Sequence, residues 1–305
     1  MCSSVALAAE ARSRFATESH APIDNIKIAL SLAAYGASLP LPHEFDGFYP
    51  PPYGPQAYVH NPTAALPNRN AFRADERAQE AEAEAALTAF HLERLRAYAA
   101  DAQTWRSIDA LAFETVPLAR EVRAIRRAVA VLEDDVLAPE ERKPWWICAV
   151  YTGGEFPEQQ REGGGPLGAR DVLAAYFGDT APGEGAARYA VPDAFGVNCT
   201  AVAHVARAVA AASDALEESG APAACVGGGK PRLVLKPNGG QTFDMDARKW
   251  GWYGGESRSQ GDEWARQVDD IVRAATNKGV WGGIMAGGCC KAGEDELRAL
   301  AKLLD

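Results

Sequence analysis

The sequence predicts an α/β fold in which strands alternate with helices, as in a (β/α) barrel or a doubly wound sheet. Short apolar runs that end in Gly, Asn, Pro or Glu lead repeatedly into segments with helical periodicity, which is typical of parallel sheets. The chain has 305 residues, 47% of them hydrophobic, and a single barrel needs roughly 250. Length and composition therefore allow one barrel but leave two smaller domains open.

Six segments have the length and composition of buried strands, and five have helical spacing of their apolar residues. The predicted strands are 26–32, 110–114, 145–151, 194–198, 232–237 and 282–288. The predicted helices are 74–100, 119–132, 201–216, 263–275 and 294–304. A helix usually separates consecutive strands in this order, so the strands are expected to run parallel.

Three long linkers interrupt the alternation, at residues 40–70, 153–189 and 217–230. Linkers of this length inside a domain are usually functional or disordered. The first is rich in aromatic residues that can cover a site, whereas the other two contain Gly-Gly-Gly runs and are interpreted as surface insertions. Neither run has the Gly-Lys-Ser or Gly-x-Gly-x-x-Gly pattern of a phosphate-binding loop.

Charge restricts the class of partner. A net charge of −10 and a pI near 5.1 argue against nucleic acid or an anionic membrane, because those surfaces are bound through Lys and Arg. Apolar runs fall well short of the about 18 residues of a membrane span, and Glu10 and Glu18 disfavour a mitochondrial presequence. We therefore expect a cytoplasmic protein with a small ligand.

Six cysteines are unevenly spread along the chain, and two of them are adjacent. This is not the spacing of a disulfide framework, so reduced thiols are expected. Free cysteines are commonly small buried side chains, and that interpretation suits the three that stand alone: Cys2, Cys148 and Cys225.

The other three cysteines follow predicted strands, Cys199 in GVNC and the Cys289 and Cys290 pair in GGCC. The C-terminal strand ends of a barrel open on one face, so these thiols can converge there. Three sulfur ligands favour zinc (Zn²⁺) and leave a fourth position open, as in catalytic sites. The adjacent pair can share one metal if a turn follows Gly287 and Gly288. The competing interpretation is that they are small buried hydrophobes.

Five motifs follow one another along the chain: SLAAYGASL (31–39), LAFETVP (111–117), GVNCT (196–200), LKPNGGQTFD (235–244) and AGGCCK (286–291). In this order they resemble the motifs of the homocysteine S-methyltransferase family. The stretch FHLERL (90–95) and Trp250 also match. The similarity extends from about residue 25 to the C-terminus, and both the order and the wording of the motifs agree.

The resemblance implies a single (β/α)8 TIM barrel over residues 1–305 that transfers a methyl group to homocysteine. Cys199, Cys289 and Cys290 match the zinc ligands, and the donor is a sulfonium such as S-methylmethionine or S-adenosylmethionine. Glu114 matches the acid that binds the substrate amino group, although it can also cap the following helix.

Weaker candidates for substrate binding are Asn198, Tyr35 and Asn238, which follow or end predicted strands. For Asn198, a turn-forming role is as plausible as contact with substrate. His43 and Glu44 resemble an acid and base pair, but they lie in a Pro-rich loop and are interpreted as loop structure.

The chain departs from the family in lacking its first two strand and helix units, so the resemblance predicts strands three to eight alone. Residues 5–17 are expected to form the helix before the third strand. An open arc of strands has unpaired edges, which favours self-association through them. Two functions are therefore considered. One is an active methyltransferase, and the other is a zinc-binding relative with impaired catalysis, which is either a pseudoenzyme or a truncated gene product.

Overall fold

Six parallel strands form the sheet on which the candidate site is built. The computed structural model describes residues 2–161, 164–178, 188–219, 229–244, 249–252 and 261–304. The strand order is β1-β2-β3-β4-β5-β8, and every pairing is parallel. The bounds are β1 Ala29–Ala33, β2 Ala110–Val116, β3 Trp145–Ala149, β4 Ala194–Asn198, β5 Arg232–Lys236 and β8 Ile284–Ala286, with β6 Gln241–Asp244 and β7 Lys249–Trp252 pairing as a separate antiparallel hairpin.

Eight α-helices lie in the described ranges. They are α1 Cys2–Ser19, α2 Arg77–Ala99, α3 Ala102–Ser107, α4 Ala119–Asp135, α5 Ala169–Phe177, α6 Val202–Ser219, α7 Gly261–Lys278 and α8 Glu294–Leu304. Short 3-10 turns occur at Ile23–Asn25, Tyr35–Ser38 and Pro139–Glu141. None of the described helices is both long enough and apolar enough to span a membrane. The alternation of strands and helices confirms the predicted α/β class and is compatible with a TIM-barrel-like fold.

The two faces of the sheet belong to different hydrophobic clusters. On the face covered by the helices, residues such as Leu111, Phe113 and Ile147 belong to the main hydrophobic core. Because side chains alternate along a strand, Cys148 and Val234 point to the opposite face, where they form a smaller cluster. We call this second side, carrying Ala112, Cys148, Gly196 and Val234, the inner face.

The inner face is open at both edges of the sheet. Among the described residues, no strand pairs with the outer edge of β1 or of β8. Burial along β1 alternates, so that Leu30 and Leu32 are buried while Ser31 and Ala33 are exposed. In β8, Met285 is 47% exposed.

The linker 153–189 differs from its prediction, because part of it is helical. Helix α5 packs between α4 and α6, with Tyr176 completely buried. Its short apolar pattern is flanked by Gly-rich sequence, which indicated a loop. Residues 162–163 and 179–187 of this linker, and 220–228 of the third, lie outside the described residues, as does Cys225.

The first linker, 40–70, is held against helices α2 and α4 by a buried network around Glu121 of α4. The Glu121 carboxylate accepts hydrogen bonds from the Tyr35 backbone N–H (2.7 Å), the Tyr49 hydroxyl (2.6 Å) and His91 Nε2 (2.9 Å). Glu121 and Tyr49 are fully buried, and His91 is 1% exposed. The network therefore joins the residues after β1 and the first linker to helices α2 and α4.

Protonation within this network follows from its hydrogen bonds. Burial alone raises the pKa of Glu121, but the hydrogen bonds and charge of its neighbours outweigh burial and lower that pKa overall. Burial lowers the pKa of His91. In the described part of the chain His91 Nδ1 has no hydrogen-bond partner, as expected for a neutral ring that donates from Nε2 to an ionised Glu121.

Candidate metal centre

Three thiols converge where β4 and β8 end. Strand β4 ends at Asn198, and Cys199 takes a left-handed conformation with φ 48° before α6 begins. After β8, Gly287 and Gly288 lead into Cys289 and Cys290, so both cysteines lie beyond the regular strand. A non-Gly residue with positive φ is uncommon, and such strained residues cluster at functional sites.

The sulfur atoms lie close to one another. Cys199 Sγ is 2.8 Å from Cys289 Sγ and 3.6 Å from Cys290 Sγ. All three lie within 4.8 Å of each other and are partly buried. They are free thiols, as the sequence predicts. The described residues contain no other group of three or more His, Cys, Asp or Glu ligands with this spacing.

The crowding of these thiols changes their acidity. Hydrogen bonds from Cys199 and Cys290 lower the pKa of Cys289, which favours its thiolate. The hydrogen bond that Cys199 donates to Cys289 raises the pKa of Cys199. These hydrogen bonds make Cys289 the most acidic of the three thiols.

This donor set fits zinc. Thiolate ligands about 2.3 Å from a tetrahedral zinc lie about 3.8 Å apart, close to the 3.6 Å between Cys199 and Cys290. The 2.8 Å between Cys199 and Cys289 is shorter than this spacing, so these two sulfur atoms must separate by about 1 Å when both bind one zinc as thiolates. Three protein thiolates leave one position for a further ligand.

Asn198, at the end of β4, holds the end of β2 in place across the intervening strand β3. Its side-chain oxygen accepts a hydrogen bond from the Thr115 N–H (2.9 Å), and its amide donates to Thr115 Oγ1 (2.9 Å). Thr115 has φ 60°, a strained conformation that these hydrogen bonds stabilise. The same amide lies 3.8 Å from Cys289 Sγ. Asn198 thus connects β2 to the thiols, beyond the turn role considered from sequence.

Glu114 lies on the inner face near the thiols and is paired with a lysine. Lys236 Nζ, at the end of β5, donates a hydrogen bond to Glu114 Oε1. Burial chiefly raises the pKa of Glu114, and the Cys289 sulfur adds to this rise. Burial lowers the pKa of Lys236, but its acidic neighbours, including Glu114 and Cys289, raise that pKa overall. The two side chains therefore neutralise each other on the inner face.

The two remaining candidates occupy different places. Asn238 is 2% exposed and borders the thiols, since its N–H donates to the Thr200 carbonyl (2.9 Å) while Gly239 N–H donates to the Cys290 carbonyl (2.9 Å). Tyr35 instead stacks on Tyr53, with ring centroids 3.9 Å apart. No contact recorded among the described residues joins Tyr35 to the thiols.

The family profile described as Homocysteine S-methyltransferase matches residues 1–304. The chain belongs to the homocysteine S-methyltransferase family. The matched residues include the three thiols, Glu114 and Asn198. The activity for which the family is named is methyl transfer to homocysteine.

Among solved structures, this family member is similar to the homocysteine methyltransferase MmuM from Escherichia coli in its metallated form. The two are 20% identical, with a TM-score of 0.56, over 99% of this chain and 69% of that chain. At this identity the likeness supports the fold. A search of curated proteins gave no match.

Two residues of the site were not singled out from the sequence of this family member. Thr115 and Lys236 lie inside the motifs LAFETVP and LKPNGGQTFD, but their contacts join strands far apart in the chain. Lysine at the last position of an apolar strand is a usable signal, because a charge there points to one face of the sheet.

Proposed function

We propose that the chain is a zinc-dependent methyltransferase that transfers a methyl group from a sulfonium donor to homocysteine, giving methionine. The observation that carries the proposal is the convergence of Cys199, Cys289 and Cys290 at the carboxyl ends of β4 and β8, in a chain of this family. S-methylmethionine and S-adenosylmethionine are the donors that fit this chemistry.

In this proposal the three cysteines hold the zinc, which supplies Lewis acidity that favours the thiolate form of a thiol substrate. Glu114 receives the substrate amino group, and Asn198 keeps Thr115 and the end of β2 in register with the thiols. Asn238 lines the same side, and Tyr35, which follows β1 and stacks on Tyr53 of the first linker, is assigned to substrate binding. These roles agree with the placement of catalytic groups at C-terminal strand ends.

The chemical step is a direct displacement. The homocysteine thiol releases its proton to solvent, and its sulfur forms a bond to the methyl carbon while the bond from that carbon to the donor sulfonium breaks. The electron pair of the broken bond stays on the donor sulfur, which becomes a neutral thioether. Positioning and exclusion of water are then the main tasks of the protein.

We further propose that β1–β5 and β8 correspond to strands three to eight of an eight-stranded barrel. The order of the sequence motifs supports this correspondence. The unpaired outer edges of β1 and β8 among the described residues support it as well.

Zinc-loaded protein is expected to produce methionine from homocysteine when either sulfonium donor is supplied. Comparing S-methylmethionine with S-adenosylmethionine in parallel assays identifies the donor by its higher kcat/KM. If the protein binds zinc fully but uses neither donor, the proposal of an active enzyme is wrong and the catalytically impaired zinc-binding relative is favoured. The exposed inner side of β1 at Ser31 and Ala33 is the observation that favours that second candidate.

The open sheet edges are proposed to pair two copies of the chain. Unpaired strand edges are templates for association, and Met285 on β8 exposes an apolar side chain beside one of them. Light scattering is expected to show a dimer or larger species. Met285→Lys is expected to shift this equilibrium toward monomer, because a charge at an edge opposes pairing. A stable wild-type monomer at micromolar concentration contradicts the pairing.

A further inference from the structure

An ion pair on the inner face joins strands that are not neighbours. Glu114 lies in β2 and Lys236 ends β5, and strands β3 and β4 lie between them in the sheet. The Glu114 side chain is 10% exposed and the Lys236 side chain 26% exposed. The pair thus places one buried carboxylate and one accessible ammonium group at the carboxyl ends of the strands.

Stability alone is a poor explanation for this pair. Burying two charges costs desolvation energy that their attraction often fails to exceed, so apolar residues commonly do as well. Within the described ranges, Glu114 is the sole recorded hydrogen-bond and ion-pair partner of the Lys236 ammonium. An ammonium group has three donors, so further donors remain for a ligand.

The chemistry of an amino-acid thiol complements this arrangement. Such a molecule has a thiol at one end and, at the other, an ammonium and a carboxylate on a single carbon. Asn198 is paired with Lys236 in the register of β4 and β5 and bonds Thr115, which follows Glu114, while its amide lies 3.8 Å from Cys289 Sγ. The thiols and the ion pair therefore share one site. A substrate whose sulfur lies at the three thiols can therefore direct its two charged groups toward the pair.

We propose that Lys236 is a positioning residue that binds the α-carboxylate of the thiol substrate and selects amino-acid thiols over thiols that lack a carboxylate. This inference rests on the proposed function. Glu114 keeps the role of receiving the ammonium, so the internal ion pair separates into two charge pairs with the substrate. Charge-assisted hydrogen bonds of this kind are the stronger ones in proteins.

The test compares homocysteine with aminopropanethiol, which is homocysteine without its carboxylate. Affinities for zinc-loaded protein are measured by calorimetry and, where turnover occurs, as KM against kcat. Wild-type protein is expected to bind homocysteine about tenfold to a hundredfold more tightly, the range for a hydrogen bond to a charged group. In Lys236→Met this ratio is expected to fall to about one, while Lys236→Arg keeps most of it.

The ratio isolates the carboxylate. Removing Lys236 also leaves Glu114 without its partner, but both ligands carry the same ammonium, so any change at Glu114 cancels. Lys230→Met is the matched control, because Lys230 precedes the same strand at its opposite end and bonds the Gly279 carbonyl (2.5 Å). It is expected to keep the wild-type ratio.

Two results overturn the inference. The first is a Lys236→Met variant that prefers homocysteine over aminopropanethiol as strongly as the wild type does. The second is a Lys236→Met variant that binds homocysteine more tightly than the wild type, because the lysine then competes with the substrate for Glu114. The binding measurement separates this failure from failure of the proposed function. Protein that binds homocysteine with carboxylate preference but transfers no methyl group retains the inference about Lys236, whereas the methyltransferase proposal then fails. No homocysteine binding by zinc-loaded wild type overturns both.

Discussion

Cys289→Ser is expected to remove bound zinc and to lower kcat/KM by about a thousandfold or more. The Cys289 sulfur is the acceptor of the thiol cluster, 2.8 Å from Cys199 Sγ and within 3.8 Å of the Asn198 amide. A serine hydroxyl is a poor substitute for a soft thiolate ligand. Losing several kcal/mol of metal assistance corresponds to about three orders of magnitude in rate.

Metal analysis provides the measurement and its control. Wild-type protein is expected to contain about one zinc per chain, and Cys289→Ser far less, with circular dichroism showing whether each protein is folded. Cys148→Ala removes a sulfur from β3 that lies outside the cluster, so its zinc content is expected to remain at the wild-type level. A folded wild-type protein without zinc contradicts the metal site, as does unchanged zinc in Cys289→Ser.

The positions of these thiols were predictable from the sequence, because each follows an apolar strand and parallel strands end on one face. Strand β4 was predicted with the bounds that the structure has, and helix α8 likewise. Where a predicted strand end differs from the observed one, the difference is one or two residues. The exception is the start of β1, which was predicted three residues too early.

Other features depended on information that local sequence does not contain. The Glu114 and Lys236 pair joins residues 122 positions apart across two intervening strands, so its existence depends on the curvature of the sheet. Thr115 is held by Asn198 from 83 positions away. Helix α3 has six residues, too few for an apolar period to be visible. The β6 and β7 hairpin has no turn signal in the sequence that matches the short hairpin types.

Glu121→Ala is expected to lower the free energy of unfolding by about 3–5 kcal/mol, because three buried donors lose the carboxylate that accepts their hydrogen bonds. The substitution deletes the carboxylate that accepts hydrogen bonds from Tyr35, Tyr49 and His91. These donors are then left without their acceptor, and each buried unsatisfied donor costs about 1–3 kcal/mol. Since a domain is stable by about 5–15 kcal/mol, the loss is a large fraction of the total.

Urea denaturation measures this loss, and Glu121→Gln is the matched control. The glutamine has nearly the same shape, its oxygen still accepts from Tyr35 and His91, and its amide can donate to the Tyr49 hydroxyl. We therefore expect it to lose less than half as much stability as the alanine variant. Equal losses in the two variants contradict the hydrogen-bond account, because they mean that the negative charge matters more than the bonds. Since Glu121 also holds the Tyr35 backbone, the alanine variant is expected to weaken homocysteine binding even where it remains folded.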